Sequence, residues 1–316
     1  MKKKILIYVH TKNNLKDPLK LGGIESLNYN LFQLLKKLNF NVKFTNKIST
    51  YEKNINWDIV ISSNESRVFS TLNAKKKILW LHNILQLEKA FRKKQIWSIV
   101  KNKINTVFVS KYLDSKTTPL YFFFKTVVIN NFLDKSFLNI KKNYQRKPMY
   151  IWSTRRAKGL NYLVYSWTRN FSLLQNSELH IFGLRNDQLP KELTSNKLKK
   201  YNIFIHGFVN KKTLINYYSL SSGIICPGYD ETFCLNAIEG NSAGLPILTF
   251  GLTNLKNLVV NESNGFIVKD FTQMMSTILY INHLQLNKRI KLINSCYKFS
   301  KKYYPEKSFN LWKKFL

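Results

Sequence analysis

Short apolar runs alternate with longer stretches of mixed polarity along the whole chain. In the first half these runs predict six strands, at Ile5–Val9, Val42–Thr45, Asp58–Ser62, Lys77–Leu81, Thr106–Val109 and Thr126–Ile129. Between the first two runs, leucines recur at helical spacing and predict an amphipathic helix from Glu25 to Leu38. Buried strands that alternate with helices are typical of an α/β protein with parallel sheets.

A second set of strands begins after a polar, lysine-rich stretch at residues 139–148, which we interpret as a linker. The strands predicted beyond it are Met149–Trp152, Leu179–Phe182, Ile203–His206, Gly223–Cys226, Ile247–Phe250 and Gly265–Val268. A chain of 316 residues is long enough for two domains. We therefore predict two Rossmann-like, doubly wound α/β domains, residues 1–142 and 143–302, that face each other across a ligand cleft.

The last segment, residues 303–316, predicts a helix because its apolar residues recur at helical spacing. Two placements are open for this helix. It either crosses back to the first domain or caps the second.

Two glutamates, Glu231 and Glu239, lie between two of the predicted strands, with seven residues between them. The run Gly244-Leu245-Pro246 follows the second glutamate. We predict a strand–loop–helix–loop–strand unit here, with the helix beginning near Thr232. Two solvated glutamates on the surface of a helix are the alternative interpretation.

The spacing of the glutamates limits the chemistry they can do together. Eight residues of helix would place the two carboxylates about 12 Å apart along the axis. A glycosidase-type acid/base pair needs roughly 5–9.5 Å and is therefore excluded. The longer span suits the two ends of a nucleotide sugar, with its diphosphate at the positive N-terminus of the helix.

The chain is strongly basic, with 51 lysines and arginines against 17 acidic residues and a net charge of +34. Such a charge attracts anionic membrane surfaces and other polyanions. The chain has no zinc-finger spacing, RNP-type aromatic motif or arginine-rich arm, so we predict no specific nucleic acid partner. Compositional bias of the coding sequence is the second explanation for the charge.

The three cysteines show no metal-ligand spacing, and their sparse, odd number indicates a reducing compartment. The apolar run at the N-terminus has five residues, whereas a signal peptide needs roughly 7–15. No run approaches the ~20 apolar residues of a membrane-spanning helix. We expect a cytoplasmic protein, with peripheral attachment to the inner face of an anionic plasma membrane as a hypothesis.

The segment from Glu231 to Pro246 resembles the donor site of retaining glycosyltransferase family 4, within the glycosyl transferases group 1 of GT-B fold. The family signature is a glutamate, seven residues, a second glutamate, and a stretch of small residues ending Gly-x-Pro. The resemblance covers nearly the whole chain and implies a terminal helix that crosses back. It implies that Glu239 binds the ribose and that Glu231 contacts the transferred sugar. The donor-binding residues implied between them are Thr232, Phe233, Cys234 and Leu235.

Three further positions match this family. The turn Gly22-Gly23 would let the backbone approach the donor diphosphate, because glycine adopts positive φ and has no side chain. His82 follows the fourth strand, where the family has a histidine that reaches the donor sugar. Gly207 matches a glycine turn near the nucleotide base. Ordinary loop glycines and a structural histidine are the alternatives.

The loop after the first strand of the second domain resembles the family's phosphate-binding turn through Arg155, Arg156 and Lys158. Arginine and lysine both suit a diphosphate and can neutralise charge on the leaving group. The loop is shorter than the commonest form, which leaves open whether Arg155 or Arg156 takes this role. An ordinary basic loop is the alternative.

We thus predict a retaining, metal-independent hexosyltransferase of envelope or surface glycan synthesis. Its catalytic candidates are His82, Glu231, Lys158 and Arg155. The expected partners are a nucleotide-diphosphate sugar as co-substrate and a glycan or lipid-linked acceptor, and no cofactor is expected. The alternative is a non-catalytic protein of the same scaffold that binds a sugar nucleotide or a polyanion.

Overall fold

The structure is a computed structural model that describes residues 2–15, 21–84, 92–117, 125–153, 159–184 and 198–316. It divides into two compact units. The first unit runs to Asp134 and also contains Pro305–Leu316, and the second is Lys135–Tyr304. The predicted boundary lay at residues 142–143, so the second unit begins somewhat earlier in the structure than in the prediction.

The first unit is built on a parallel sheet of the strand order β2-β1-β3-β4-β5-β6. Its strands are β1 Lys4–Val9, β2 Asn41–Thr45, β3 Trp57–Ser63, β4 Ala74–Leu81, β5 Asn105–Phe108 and β6 Thr126–Val128. Each coincides with a predicted apolar run, apart from small differences at the strand ends. The sequence prediction of a parallel α/β domain is therefore confirmed for this unit.

Helices connect these strands where the chain leaves the sheet. The described helices before residue 135 are α1 Gly23–Lys37, α2 Thr50–Lys53, α3 Gln95–Lys101 and α4 Lys111–Lys116. The longest of them, α1, buries Leu27, Leu31 and Leu35 and places two lysines in its last turn. Its sequence combines an apolar stripe with cations at the negative helix end, which explains why this segment is helical.

The second unit contains another parallel sheet, of the order β12-β11-β10-β7-β8-β9. Its strands are β7 Met149–Ser153, β8 Glu178–Phe182, β9 Ile203–Gly207, β10 Gly223–Ile225, β11 Ile247–Thr249 and β12 Gly265–Ile267. Strands β8 and β9 extend the sheet on one side of β7, whereas β10, β11 and β12 extend it on the other side. The strand order therefore reverses between β7 and β10. Ligands of doubly wound folds bind at such a switch point.

The helices of the second unit cover its sheet and complete its core. They are α5 Leu160–Arg169, α6 Phe171–Leu174, α7 Lys211–Leu220, α8 Leu235–Ser242, α9 Leu255–Leu258, α10 Phe271–Asn282 and α11 Leu286–Ser300. Short 3₁₀ turns lie at Arg67–Ser70, Lys135–Phe137 and Lys301–Tyr303. No helix in the described part of the chain combines the length and apolar character that a membrane crossing requires.

The terminal helix α12, Pro305–Phe315, belongs to the first unit. Its Trp312 is fully buried and lies edge-on against Trp80 of β4, with 4.9 Å between ring centroids. Ser308 Oγ donates to the carbonyl of Asn130 at 2.9 Å, and Lys76 Nζ donates to the carbonyl of Phe315. Of the two placements that the sequence left open, the structure therefore has the helix on the first unit.

The stretch interpreted as a linker, residues 139–148, is fastened to the second unit. Arg146 Nη1 donates to the carbonyls of Tyr218 and Ser219 at 3.0 and 2.8 Å, and its Nη2 donates to Ala243 O at 2.7 Å. Tyr144 OH donates to Asn294 Oδ1 at 2.9 Å. A single guanidinium thus ties residues 139–148 to two other backbone segments, which a lysine could not do with the same geometry.

Candidate donor site

A pocket lies in the second unit at the carboxyl ends of β7 and β10. Its lining residues are Trp152, Ser153, Ile225, Cys226, Pro227, Gly228, Tyr229, Glu231, Cys234 and Asn236. Two of the predicted site residues, Glu231 and Cys234, are among them. The pocket occupies the switch point of the sheet, where the fold predicts a ligand.

The loop from β10 to α8 takes a sharper path than the sequence predicted. Gly228, Asp230 and Cys234 all have positive φ, of 104°, 52° and 71°. These left-handed residues interrupt helical geometry, so the helix begins at Leu235 and the predicted start near Thr232 is wrong. Glu231 therefore lies in the loop, and the 12 Å estimate, which assumed a continuous helix, no longer applies.

Asn254 fixes the loop that carries Glu231. Its backbone N–H donates to Glu231 O at 3.4 Å, and its Nδ2 donates to Phe233 O at 3.1 Å. Asn254 and Phe233 are both buried, and the ring of Phe233 packs edge-on against Tyr303 with 5.7 Å between centroids. The position of Glu231 at the pocket is thus set by hydrogen bonds on one side and aromatic packing on the other.

The N-terminus of α8 forms one wall of the pocket. Its N-cap residue is Cys234, whose side chain makes no capping hydrogen bond, and the first turn contains no acidic residue. Helix N-termini carry a partial positive charge and accommodate phosphate groups. Asn236 in this first turn lines the same pocket and adds an amide side chain.

Close packing holds α8 against the sheet. A Cβ atom on Gly240 would lie 2.6 Å from Ile224 Cγ2, so only glycine allows this approach. The next residue, the buried Asn241, accepts a hydrogen bond from Asn264 Nδ2 at 2.6 Å and donates to Asn264 O at 3.0 Å. The satisfied amide pair fixes the end of the helix relative to β12.

Cys226 and Cys234 present buried free thiols to the pocket. The hydrogen bond with Cys226, together with burial, raises the pKa of Cys234 well above its ordinary value. A thiol is a poor nucleophile compared with a thiolate. Cys234 therefore contributes a neutral wall to the site at physiological pH.

Glu239 lies on α8 and is not part of the pocket lining, and its charge acts on the fully buried Tyr218 of α7. Burial first, and then the charge of Glu239, raises the pKa of Tyr218 well above its usual value. Tyr218 therefore remains a phenol and provides a neutral neighbour for the half-buried carboxylate. Thr232, Phe233 and Leu235, also predicted to bind the donor, accompany Glu231 in the loop and helix start but are not in the pocket lining.

Two glycines at strand ends have backbone conformations that favour glycine. Gly207 ends β9 with a φ of 61°, and its carbonyl accepts from Gly183 N–H at 2.7 Å. Gly159, with a φ of 77°, follows the predicted phosphate loop, and a Cβ there would lie 2.7 Å from the Tyr229 ring. The loop residues Arg155, Arg156 and Lys158 lie outside the described residues.

In the first unit, His82 directly follows β4 and is buried. Its Nε2 lies 3.5 Å from Ser63 Oγ, and its backbone N–H donates to Asn64 Oδ1 at 2.8 Å. Burial lowers the pKa of His82 to about 3. The ring is therefore neutral at physiological pH, so it can make hydrogen bonds but supplies no positive charge.

The glycine turn of the first unit has a different backbone from the predicted one. Gly22 is the N-cap of α1 with a φ of −73°, and its carbonyl accepts from Ser26 N–H at 2.8 Å. Gly23 is the first helical residue, and neither glycine has a positive φ. The expectation of positive φ is wrong here. The two glycines still leave the backbone uncovered, because they have no side chain. Glu25 accepts from Thr11 Oγ1 at 2.9 Å and so fastens the preceding loop to the helix.

Sequence reasoning missed a polar cluster at the carboxyl ends of β1 and β3. Glu65 is buried and accepts from Arg67 Nε and Nη2 at 2.8 and 2.6 Å. Burial alone would raise the pKa of Glu65. The hydrogen bonds from Arg67 outweigh burial and hold this pKa below its ordinary value. Nearby, Tyr8 OH lies 3.3 Å from His10 Nδ1. The signal available in the sequence was the position of these residues directly at strand ends.

The sequence of the second unit identifies the class of protein. Residues 137–303, more than half of the chain, match the family model of glycosyl transferases group 1. The protein therefore belongs to this family of glycosyltransferases. No curated protein matches the chain.

Solved structures confirm the fold as GT-B, the two-domain α/β fold of glycosyltransferases. Sucrose-phosphate synthase from Thermosynechococcus elongatus has a TM-score of 0.75 at 13% identity, over 99% of this chain and 98% of its own. A glycosyltransferase from Rickettsia africae ESF-5 has a TM-score of 0.72 at 16% identity, over 99% and 97%. Anabaena Alr3699/HepE in complex with UDP has a TM-score of 0.70 at 13% identity, over 100% and 99%.

Proposed function

We propose that the protein transfers a sugar from a nucleotide-diphosphate sugar to a hydroxyl group, with retention of configuration and without a metal. The observation that carries this proposal is the pocket at the switch point of the second sheet, which is lined by Glu231 and by the N-terminal residues Cys234 and Asn236 of α8. An anion site and a carboxylate within one pocket suit the diphosphate and the hydroxyls of such a donor. The UDP complex of the structurally similar HepE supports the same assignment.

The donor diphosphate would lie at the start of α8, with Lys158 and either Arg155 or Arg156 completing its charge neutralisation. Glu231 would accept hydrogen bonds from the transferred sugar, and Glu239 from the ribose. Positive groups stabilise the negative charge that develops on the leaving diphosphate, and they lower the barrier most when they are already in place. The helix terminus provides such a group without any rearrangement.

Retention in this proposal comes from attack of the acceptor on the face from which the diphosphate leaves. The neutral state of Cys234 agrees with a reaction that uses no thiolate nucleophile. The neutral His82 remains a candidate for a hydrogen bond to the sugar rather than for charge stabilisation. Catalysis then rests on orientation and electrostatic stabilisation of the transition state.

We infer a glycan or lipid-linked acceptor of the cell envelope or cell surface, made on the cytoplasmic side of the membrane. The net charge of +34 supports this inference, because anionic lipids would concentrate such a protein at the site of its acceptor. The inference concerns the acceptor alone and is separate from the donor site.

A panel of sugar nucleotides with different bases and sugars tests the proposal. Calorimetry measures binding of each compound, and release of the nucleoside diphosphate measures hydrolysis. Lipid-linked glycans are then added to the preferred donor to look for transfer. Donor hydrolysis or transfer that Glu231→Ala abolishes would support the enzyme, while binding without turnover would favour a sugar-nucleotide-binding protein. Absence of binding to the whole panel would refute the donor site.

A further inference from the structure

Trp97 is the exception among the six tryptophans of the protein. Trp57, Trp80, Trp152, Trp167 and Trp312 are each at most 5% exposed. Trp97, on α3 of the first unit, is 67% exposed. An exposed indole ring offers a partner both an apolar surface and a polar N–H group.

The helix α3 has two different faces. Ile96, Ser98 and Ile99 are buried against the first unit. Trp97 and Val100, three residues apart and therefore neighbours on the helix surface, point outwards, and Val100 is 48% exposed. The outward face is thus apolar at its centre.

Hydrogen bonds hold this helix in place. Ser98 Oγ donates to Ser66 O at 2.7 Å, and Ser66 Oγ donates to Gln95 O at 3.0 Å. Asn102 Nδ2 donates to Ser98 O at 2.8 Å and closes the helix end. The exposed indole is therefore presented on a fixed element, so binding through it would not require ordering of α3.

Cations surround the apolar centre. Five exposed basic residues lie in or directly beside α3, namely Arg92, Lys93, Lys94, Lys101 and Lys103. The sequence contains no acidic residue from Arg92 to Leu113. The charged residues along this stretch are therefore all basic, and we refer to Trp97, Val100 and these five cations together as the α3 patch.

We propose that the α3 patch binds the surface of an anionic lipid bilayer, with the Trp97 ring at the level of the headgroups. Tryptophan favours this interface because its ring is apolar and its N–H is polar. Each basic residue near an anionic leaflet adds about 1 kcal/mol of attraction. The proposal rests on the proposed function only in that a lipid-linked acceptor would explain why the protein binds a membrane. The binding itself needs no sugar nucleotide.

A lipid surface fits this patch better than a nucleic acid does. Four of the five cations are lysines, which act as point charges and lack the forked geometry with which arginine grips phosphates. Val100 offers a nucleic acid nothing to stack on, whereas it adds to the apolar area that a bilayer takes up. A combination of apolar centre and lysine rim is typical of interfacial membrane binding.

Intrinsic fluorescence tests the proposal on the full-length protein. Vesicles of phosphatidylcholine that contain about 30% phosphatidylglycerol mimic an anionic leaflet. They are added at low salt, without any sugar nucleotide. We expect the emission to shift to shorter wavelength and iodide quenching to fall, because Trp97 is the exposed indole. Trp97→Phe should abolish both changes while sedimentation with the vesicles persists in reduced form.

Charge variants separate the α3 patch from the net charge of the protein. Lys93→Glu/Lys94→Glu should weaken sedimentation with anionic vesicles by roughly tenfold or more at low salt. The matched control is Lys288→Glu/Lys291→Glu, which changes the same charge on exposed residues of α11 and should bind like wild type. Equal losses in both variants would attribute binding to net charge and overturn the proposal.

Two further outcomes bear on the proposal. A short oligonucleotide that protects Trp97 from iodide while anionic vesicles do not would assign the patch to nucleic acid instead. Equal binding to neutral and anionic vesicles would also refute it. UDP binding measured by calorimetry should be the same for wild type and Lys93→Glu/Lys94→Glu, so a failure of the donor site would be seen separately.

Discussion

The ring of Tyr229 occupies the space that a side chain on Gly159 would need, since a Cβ atom there would lie 2.7 Å from Tyr229 Cε2. Gly159 follows the basic loop after β7, and Tyr229 lines the pocket. The ring also packs edge-on against Phe250, with 5.9 Å between centroids, so it cannot move away freely. The contact couples the end of the basic loop to the wall of the donor pocket.

Gly159→Ala should lower both stability and donor affinity. The positive φ of Gly159 costs an alanine about 1–2 kcal/mol, and displacement of the Tyr229 ring adds to this cost. Thermal unfolding and UDP calorimetry measure the two effects. Gly207→Ala is the matched control for stability, because its φ is also positive but its Cβ would lie 3.7 Å from the nearest atom. Equal destabilisation by both substitutions would show that the Tyr229 contact is unimportant.

The two glutamates should have separable roles. A carboxylate that accepts from hydroxyl groups contributes about 1.5–3 kcal/mol, or roughly ten- to a hundredfold. Glu239→Ala should weaken binding of both free nucleoside diphosphate and nucleotide sugar by this factor. Glu231→Ala should leave free nucleotide binding nearly intact and lower kcat, because its partner is the sugar.

Calorimetry with the free nucleotide, paired with transfer kinetics, distinguishes the glutamates. Wild-type transfer by both variants would mean that the carboxylates are ordinary surface groups and that the donor-site assignment is wrong.

Asn254→Ala should impair turnover through the position of Glu231. The substitution removes the hydrogen bond from Nδ2 to Phe233 O and leaves a carbonyl unsatisfied next to the pocket, at a cost of about 1–3 kcal/mol. We expect lower stability in urea and a lower kcat, with free nucleotide binding less affected. Lys256→Ala, at an exposed position of the same short helix, is the control. A stability loss without any change in kcat would show that Asn254 has no positioning role.

The buried His82 should make stability dependent on pH. Burial lowers its pKa from 6.5 to about 3, so the unfolded chain binds a proton between these values that the folded protein does not. The free energy of unfolding should therefore fall as the pH falls below 6.5, by at most about 1.4 kcal/mol per pH unit for this one group. At pH 7.5 the term is absent.

Urea unfolding of wild type and His82→Gln at pH 7.5, 6 and 5 tests this effect. Burial also lowers the pKa of His180 and of His206, so the wild-type slope alone does not isolate His82. The free energy of unfolding of His82→Gln, measured relative to that of wild type, should rise as the pH falls from 7.5 to 5. A difference that stays constant across this range would contradict a neutral, buried His82.

The strands were predictable because parallel sheets bury both faces and so leave continuous apolar runs in the sequence. The start of α8 was not, because Asp230 and Cys234 take left-handed conformations that nothing in their residue types requires. Arg146 looks like one more cation of a solvated linker until its carbonyl partners are known. Asn254 likewise acts on Glu231 through tertiary contacts between segments that are distant along the chain.

The candidate site was predictable in part because the strands on either side of it were recognisable. Glu231 and Cys234 could be placed because they stand between two recognisable strands. Trp152, which lines the pocket, was missed, because a large apolar residue in a strand is usually a core residue and its sequence context carries no other signal.

The place of α12 in the first unit has a consequence for the order in which the protein can fold during synthesis. The second unit is one continuous segment, Lys135–Tyr304, and its chain is complete before α12 leaves the ribosome. The first unit, although begun earlier, lacks the Trp312 ring that covers Trp80 until those last residues arrive. Domains generally fold as units from the N-terminus. Here the domain that is started first is the one that can be finished last, and Trp80 lacks its Trp312 neighbour until α12 has been made.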